Sequence, residues 1–274
     1  GGCLAMLQHV FVPQDVGDAV ARLAAAPDAA LLAGGTLLMP ALNTTPTDIQ
    51  TLVSARRLGL AGIEVAAGRA TAGAATTLAA FGREPRLAVL RPVVESIAAP
   101  PIRNLATVGG NLFARQPYGD LAVALLALDA TVAILGPNGA RQAPVAAVLA
   151  GGGAPGEIVT SVAFDVPAPG TWFYTKAMRR KLNSAAIVTV AASIAVADGT
   201  VGAARIALGG AGPRPIRARA AEAALVGRPL DAAAVNEAAA RAVDDAQPFT
   251  DAYASAWYRA RVLPVHFRRA ILDE

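Results

Sequence analysis

Two pairs of adjacent glycines constrain this chain more than any other feature. The sequence Ile-Arg-Asn-Leu-Ala-Thr-Val-Gly-Gly-Asn occupies residues 102–111, and Leu-Ala-Gly-Gly-Thr-Leu occupies residues 32–37. Because glycine has no Cβ, each pair permits positive φ and the close approach of another molecule. Successive N–H groups in such a turn form a nest that can bind one anion. We therefore interpret the two segments as loops that hold the two phosphates of one dinucleotide.

The composition indicates a well-ordered globular protein. With 274 residues, the chain is long enough for two or three modest domains. Hydrophobic residues make up 54% of it and aromatic residues only 5%, which favours packing of small side chains and argues against disorder. The net charge of +4 is modest for this length and does not by itself indicate a nucleic-acid partner.

Cysteine and hydropathy exclude several other classes of site. Cys3 is the only cysteine, so the chain has no internal disulfide and no cysteine-ligated iron–sulfur or zinc site. A reducing cytoplasm is the expected compartment, and no signal peptide is predicted because a basic n-region is lacking. The apolar run 182–197 is too short to span a bilayer and predicts a buried strand. His9 and His266 are too isolated to predict a metal site.

The pattern along the chain predicts an α+β fold in three parts. Residues 1–55 form a βαββ unit whose glycine turn follows a strand at 31–33, at the sheet edge where α/β proteins bind ligands. Residues 56–168 form a second, strand-rich unit, and residues 171–274 form an antiparallel sheet followed by helices. The Pro-Ala-Pro-Gly sequence at 167–170 is the predicted linker.

Helical periodicity and turn residues predict the individual elements. A short helix is predicted over 76–81, with Thr76 or Thr77 as its cap. A second, apolar helix is predicted over 121–128, with Asp120 as its N-cap. Pro100 and Pro101 are expected to end a helix and lead the chain, extended, into the glycine segment. The other predicted helices are 16–26, 87–97, 216–226, 232–243 and 252–271; the predicted strands are 10–13, 31–33, 49–53, 63–66, 69–72, 130–135, 158–166, 172–176, 186–196 and 201–208.

Common catalytic motifs are missing from the sequence. It contains no P-loop, no Gly-x-Gly-x-x-Gly after a strand and no Gly-x-Ser-x-Gly elbow. No nucleophile is paired with a histidine. Any difficult chemistry therefore belongs to a cofactor.

A series of motifs covers nearly the whole chain. In chain order they are Ala33-Gly34-Gly35-Thr36-Leu37, Ile102-Arg103-Asn104, Thr107-Val108-Gly109-Gly110-Asn111, Pro117-Tyr118-Gly119-Asp120-Leu121, Tyr174-x-Lys176 with Arg179-Arg180, Ala207-Leu208-Gly209-Gly210, Pro213-x-Pro215-x-Arg217, Glu222-x-x-Leu225-x-Gly227 and Ala254-Ser255-x-x-Tyr258-Arg259. In this order the motifs resemble one family, the FAD-binding subunit of molybdenum hydroxylases of the xanthine dehydrogenase and carbon monoxide dehydrogenase type. Because the motifs occur in the family's order, they are far more specific than either glycine pair.

The resemblance implies a fold and a set of cofactor contacts. The fold is a two-subdomain PCMH/VAO-type FAD-binding domain followed by a C-terminal domain with a small three-stranded sheet and a helix bundle. Asp120 would lie near the ribityl chain, Val159 beside the isoalloxazine and Lys176 at the pyrimidine edge, where its charge would stabilise reduced flavin. The residues that would hold the FAD pyrophosphate are Ala33, Gly34, Gly35, Thr36, Leu37, Thr107, Gly109, Gly110 and Asn111.

The resemblance also implies an oxidoreductase made of several subunits. A large subunit would carry molybdopterin and hydroxylate the substrate, and a small subunit would carry two [2Fe–2S] clusters, giving a dimer of heterotrimers. FAD on this chain would collect electrons and pass them to NAD, oxygen, a quinone or a cytochrome. No catalytic residue, metal site, nucleic-acid partner or membrane span is expected on this chain.

One departure from the family pattern concerns the flavin face. Many relatives have an acidic residue and then Tyr or Ile over the ring, whereas this chain has Asn183-Ser184. A serine cannot cover a ring as an aromatic side chain does, so we hypothesise that the flavin face is more open here.

Two alternatives remain open at this stage. The first is a self-contained FAD reductase of the same superfamily, which needs a proton donor facing the flavin; Ser184 is the one candidate. The second is a non-catalytic basic module that uses the arginines and aromatics near the end, for example Arg214, Trp257 and Arg261, although the resemblance makes a docking surface for partner subunits the sharper explanation of these residues.

Overall fold

The first sheet lies at the N-terminal end and places the first glycine pair. The computed structural model describes residues 7–180 and 184–272. Three parallel strands are arranged in the order β1-β3-β2, and Asp15 caps the helix α1 by accepting a hydrogen bond from the Asp18 N–H. In chain order the elements are β1 (His9–Phe11), α1 (Val16–Ala25), β2 (Ala29–Leu32), α2 (Leu38–Thr44) and β3 (Thr51–Ser54).

This unit is βαβαβ, whereas the sequence predicted βαββ. The additional helix α2 (Leu38–Thr44) follows directly after the first glycine pair. Its sequence is apolar and carries Pro40, so it shows neither strand alternation nor a clear helical period. The predicted position of the glycines, at the carboxyl end of β2 (Ala29–Leu32), is correct.

A five-stranded antiparallel sheet forms the centre of the molecule, with the strand order β4-β5-β8-β6-β7. The sequence analysis missed β7 and the helix α8, because both lie in an Ala- and Gly-rich stretch with weak periodicity. The strands are β4 (Ile63–Ala66), β5 (Arg69–Gly73), β6 (Thr131–Gly136), β7 (Gly139–Pro144) and β8 (Ile158–Asp165); the helix α8 is Val145–Gly151.

Short helices cover this sheet. Thr77 caps α3 by accepting a hydrogen bond from the Ala80 N–H, as predicted. The helical stretch predicted over 87–97 is expected to be interrupted early by Pro92, and the structure has this break: a 3₁₀ helix ends at Leu90 and α4 begins at Arg91. The helices are α3 (Leu78–Arg83), a 3₁₀ helix (Pro85–Leu90), α4 (Arg91–Glu95), α5 (Pro100–Arg103), α6 (Val108–Leu112) and α7 (Asp120–Ala127).

Two predictions in this region are wrong. Pro100 and Pro101 do not lead into an extended loop but begin α5, because proline is tolerated in the first helical turn, where its missing N–H needs no partner. Asp120 is not the N-cap of α7; Gly119 takes that position with φ +86°, and the Asp120 side chain bonds elsewhere.

The C-terminal part carries an antiparallel sheet with the order β12-β11-β10-β9. It has four strands rather than the three expected, because Ile216–Arg217, predicted as the start of a helix, pairs with β11. The buried strand predicted over 182–197 is β10; residues 182 and 183, at the start of that run, lie outside the described part. The elements are β9 (Trp172–Met178), β10 (Ala186–Ala197), β11 (Thr200–Gly209), β12 (Ile216–Arg217), α9 (Arg219–Leu225), α10 (Ala232–Arg241) and α11 (Ala256–Leu272).

Helix α7 (Asp120–Ala127) joins the central and C-terminal sheets. All eight of its residues are buried, and its core cluster includes Ala191 of β10 and Ala207 of β11. A helix that is apolar all round must be covered on every side, which explains why the two sheets enclose it. No helix in the described ranges is long and apolar enough to cross a membrane.

Candidate functional site

A large cavity opens between the N-terminal parallel sheet and the central sheet. It has a volume of about 850 Å³, which suits a cofactor-sized ligand. Both glycine segments line it, as do residues from α2 and β8. Ten of the twelve predicted site residues lie on its wall, namely Ala33, Gly34, Gly35, Thr36, Leu37, Thr107, Gly109, Gly110, Asn111 and Val159.

The first glycine segment touches the second directly. A Cβ on Gly34 would lie 1.9 Å from the carbonyl oxygen of Leu105, so only glycine allows the two backbones to come this close. Gly35 has φ +71°, the left-handed conformation that the nest prediction requires. Across residues 7–180 and 184–272, no protein acceptor bonds the N–H groups of Gly34, Gly35 or Thr36. These N–H groups are therefore available to an anion.

The second glycine segment differs from the predicted loop, because it forms the short helix α6 (Val108–Leu112). Thr107 is its N-cap and accepts a hydrogen bond from the Gly110 N–H at 3.1 Å. The Gly109 N–H donates to the Ala74 carbonyl at 2.8 Å. Since these donors are already used within the protein, the nest is confined to the first segment. The glycines of the second serve close packing, for a Cβ on Gly109 would lie 2.8 Å from the Ala74 side chain.

Two polar side chains of the second segment stand on the cavity wall. Thr107 uses its oxygen as an acceptor for Gly110, which leaves its hydroxyl proton free to donate. Asn111 is 8% exposed, and its Oδ1 accepts a hydrogen bond from the Ala122 N–H at 3.0 Å. That bond ties α6 to α7 and orients the side-chain amide.

Asp120 and Lys176, the remaining predicted site residues, do not line the cavity. They form a buried ion pair, with the Lys176 Nζ 2.8 Å from Asp120 Oδ2. Thr189 donates to the other carboxylate oxygen at 2.7 Å, and Lys176 also donates to the Ser96 carbonyl at 2.7 Å. The pair therefore connects α7 with the C-terminal strands β9 and β10.

Tyr174 extends this buried polar cluster. Its hydroxyl shares a hydrogen bond of 2.8 Å with the Ser96 hydroxyl. Burial, and after it the negative charge of Asp120, raises the pKa of Tyr174 well above its ordinary value. The phenol thus stays protonated and remains a hydrogen-bonding group across the neutral pH range.

Several residues on the cavity wall escaped the sequence analysis. Among them, Arg115 and Tyr118 precede α7, and Glu157 precedes Val159 of β8. Glu157 forms an ion pair with Arg141, the two atoms lying 2.7 Å apart, and this bond lowers the pKa of its carboxyl group. No local sequence pattern marks these residues as site residues, because they reach the cavity only when β8 and the 113–119 segment pack beside the glycines. The exception is Tyr118, which stands inside a family motif.

Tyr118 links the cavity with the C-terminal part. Its hydroxyl lies 2.8 Å from that of Tyr253, and the two rings meet edge to face. This hydrogen bond, together with burial, raises the pKa of Tyr118 to about 12. Nearby, Gln116 accepts a hydrogen bond from the Gly210 N–H at 2.6 Å. Two contacts from the C-terminal part of the chain thereby fix the 116–118 segment.

Ser184, the candidate for an open flavin face, is half-buried and is not on the wall of this cavity. Its hydroxyl donates to the Ala185 carbonyl at 3.3 Å. Its neighbour Asn183 lies outside the described residues. The described residues hold no cluster of three or more His, Cys, Asp or Glu side chains that could bind a metal ion.

The cavity fits a dinucleotide such as FAD. Free N–H groups at the carboxyl end of a strand can bind a diphosphate. The glycines form a close-packed wall that a Cβ would obstruct, and the mostly apolar remainder of the lining suits a ring system.

Two family models together match nearly the whole chain. Residues 5–169 match the family described as the FAD binding domain in molybdopterin dehydrogenase, and residues 172–273 match the CO dehydrogenase flavoprotein C-terminal domain. The carbon monoxide dehydrogenase medium chain of Afipia carboxidovorans is 32% identical, with 94% of this chain and 93% of the relative covered. The putative xanthine dehydrogenase FAD-binding subunit of Escherichia coli is 30% identical, with 94% and 92% covered.

Solved structures give the same result. A chain of carbon monoxide dehydrogenase from Hydrogenophaga pseudoflava superposes with a TM-score of 0.92 at 29% identity, covering 98% of each chain. A chain of quinoline 2-oxidoreductase from Pseudomonas putida 86 gives a TM-score of 0.89 at 28% identity, covering 99% of this chain and 98% of that one. These similarities set aside the cofactor-free basic module. The chain belongs to the FAD-binding medium subunits of the molybdenum hydroxylase family, a family of oxidoreductases.

Proposed function

We propose that this chain is the electron-transfer subunit of a molybdopterin and iron–sulfur hydroxylase. In this proposal, electrons from iron–sulfur clusters on a partner subunit reach the FAD on this chain and leave to an external acceptor. FAD, when bound, supplies the two-electron redox chemistry. The observation that carries the proposal is the single cavity wall that both glycine segments form, with the Gly34 backbone against Leu105.

The two segments have different tasks in the proposed site. The free N–H groups of Gly34, Gly35 and Thr36 would bind the diphosphate oxygens. Among the described residues, no lysine lines the cavity, so these backbone donors would take the place of a lysine. From the second segment, the Thr107 hydroxyl and the Asn111 side-chain amide would donate the remaining hydrogen bonds. Ala33, Leu37, Gly109, Gly110 and Val159 would provide the close apolar and backbone contacts.

Asp120 and Lys176 have a positioning task in the proposal. The sequence predicted contacts with the ribityl chain and the pyrimidine edge. Because the two side chains neutralise each other and lie outside the cavity wall, we propose that they act through α7, which they hold against β9. The orientation of α7 in turn fixes Asn111 through the Ala122 N–H.

The proposed assembly contains a large molybdopterin subunit and a small subunit with two [2Fe–2S] clusters, as a dimer of heterotrimers. Two observations support it: the relatives are named medium chains, and Cys3 alone cannot ligate a cluster. Hydroxylation of the substrate would take place on the large subunit. We further propose that the domain boundaries are residues 1–55, 56–168 and 171–274, since each range contains a separate sheet or most of one.

A visible absorbance spectrum of the purified chain, with and without added FAD, tests the cofactor. Flavin bands that are retained after gel filtration support the proposal, and a colourless chain that takes up no FAD contradicts it. Co-expression with the products of neighbouring genes tests the assembly. Co-purification of molybdenum- and iron-containing subunits is expected, whereas a chain that reduces a substrate alone would favour the self-contained reductase.

A further inference from the structure

A second cavity lies among the short helices that cover the central sheet. It has a volume of about 530 Å³ and is formed by residues of α3, α4 and α5 and their ends. It shares no lining residue with the FAD cavity. Three arginines line it: Arg83 at the end of α3, Arg91 at the start of α4 and Arg103 at the end of α5.

Main-chain oxygens hold two of these guanidinium groups in place. Arg103 donates from one nitrogen to the carbonyls of Ile97 and Ala98, each at 2.7 Å. Arg91 donates from Nε to the Gly82 carbonyl at 3.2 Å, which leaves both of its terminal nitrogens available. Fixed guanidinium groups lose little further entropy when they bind an anion, so the cavity is preorganised for one.

The positive charge in this cavity is not compensated within the chain. For residues 7–180 and 184–272, no carboxylate lies within the 4.0 Å ion-pair distance of Arg83, Arg91 or Arg103. One carboxylate, that of Glu95, lines the cavity. Three arginines against one glutamate leave two positive charges around a concave surface, where like charges repel unless an anion is present.

We propose that this cavity binds the phosphate group of a small phosphate monoester. A monoester carries a charge of about −1.5 to −2 near neutral pH, which matches the two uncompensated charges, whereas one carboxylate would balance only half of them. The forked N–H groups of arginine also fit phosphate oxygens in bidentate geometry. The site is separate from the proposed electron transfer and does not depend on it.

Isothermal titration calorimetry tests the site with inorganic phosphate as the probe. The protein is the full chain loaded with FAD, together with any subunits that co-purify, and chloride at equal ionic strength is the reference titrant. Saturable binding of phosphate at one site is expected. In Arg83→Ala/Arg91→Ala the affinity should fall at least about tenfold, the equivalent of losing one charge-assisted hydrogen bond.

Two further variants make the result specific. Arg214→Ala/Arg269→Ala removes the same charge from exposed positions in the C-terminal part and should leave phosphate affinity unchanged. Glu95→Gln removes the one carboxylate and should strengthen binding several-fold. Within the described ranges the Arg83 side chain makes no hydrogen bond, so Arg83→Ala alone is a second variant that tests the site if the double variant misfolds. Absence of phosphate binding by the wild type, or an equal loss in both double variants, would overturn the proposal.

Discussion

The ammonium group of Lys176 lies 2.8 Å from the carboxylate of Asp120, and each side chain is only 4% exposed. The two residues belong to different elements: Lys176 lies in the strand β9, and Asp120 is the first residue of the helix α7. Every oxygen of the carboxylate has a donor, because Thr189 completes the set. The pair therefore fixes how the C-terminal sheet meets the helix that supports the FAD cavity.

Removing one partner of this pair should destabilise the protein strongly. Lys176→Met leaves the Asp120 charge buried without compensation, and we expect the free energy of unfolding to fall by about 3–5 kcal/mol. Lys176→Met/Asp120→Asn should recover part of that loss, since no buried charge remains. Urea denaturation followed by circular dichroism measures both. Arg69→Met, in an exposed ion pair with Asp165, is the matched control and should cost no more than about 1 kcal/mol. Equal losses in the two single variants would contradict the assignment.

A methyl group at Gly34 should separate the two glycine segments. In Gly34→Ala the new Cβ would overlap the Leu105 carbonyl at 1.9 Å, so the backbones must move apart. We expect FAD affinity to fall at least about tenfold, measured by the flavin fluorescence change on titration. Gly151→Ala is the control, because a Cβ there meets no atom within 4 Å. Unchanged FAD affinity in Gly34→Ala would show that the close approach is not needed for binding.

The hydrogen bond between Tyr118 and Tyr253 should be visible in a pH titration. The pKa of Tyr118 is raised to about 12, from an ordinary value of 10.0. A raised folded-state pKa contributes stability that is complete below pH 10 and is lost as the pH rises towards 12. In Tyr253→Phe the largest cause of the shift is removed, so the pKa of Tyr118 should fall towards 10. Absorbance of tyrosinate measures it, with Tyr118→Phe to identify the transition.

Loss of the hydrogen bond between Tyr118 and Tyr253 should also affect the FAD site. Tyr118 lines the cavity, and its bond to Tyr253 is one of two contacts that hold the 116–118 segment. We expect Tyr253→Phe to speed FAD dissociation by a few-fold without loss of fold, since one neutral hydrogen bond contributes about 1 kcal/mol. Stopped-flow mixing of the FAD-loaded chain with an apo-flavoprotein that captures the released FAD measures this dissociation rate directly. A dissociation rate equal to wild type would show that the C-terminal part does not support the site.

The open-face hypothesis for Ser184 leads to a prediction about the acceptor. If an aromatic side chain covers the ring, an acceptor that approaches that face should be slowed, so we expect Ser184→Tyr to lower the rate of reoxidation of the reduced protein. Rapid-mixing spectroscopy with oxygen and with a quinone measures this rate, and Ser184→Ala is the small-residue control. Unchanged rates in Ser184→Tyr would count against the hypothesis.

Local sequence determined much of this protein. The glycine pair after β2, the threonine cap of α3 and the continuous apolar run of β10 follow from backbone preference and hydropathy, which act over a few residues. The motif order predicted the family and the cofactor, and ten of the twelve predicted site residues line one cavity.

Tertiary structure decided the rest, because the deciding contacts join residues far apart in the chain. Gly34 meets Leu105 and Asp120 meets Lys176 only after the sheets pack, which no local pattern encodes. The same packing makes Asp120 an ion-pair partner rather than a helix cap, and uses the donors of the second glycine segment inside the protein. It also gathers Arg83, Arg91 and Arg103 around one cavity, since three short helices converge there. The sequence by itself determined which residue types are present, whereas the burial of these residues and the distances between them in the folded structure determined what each one does.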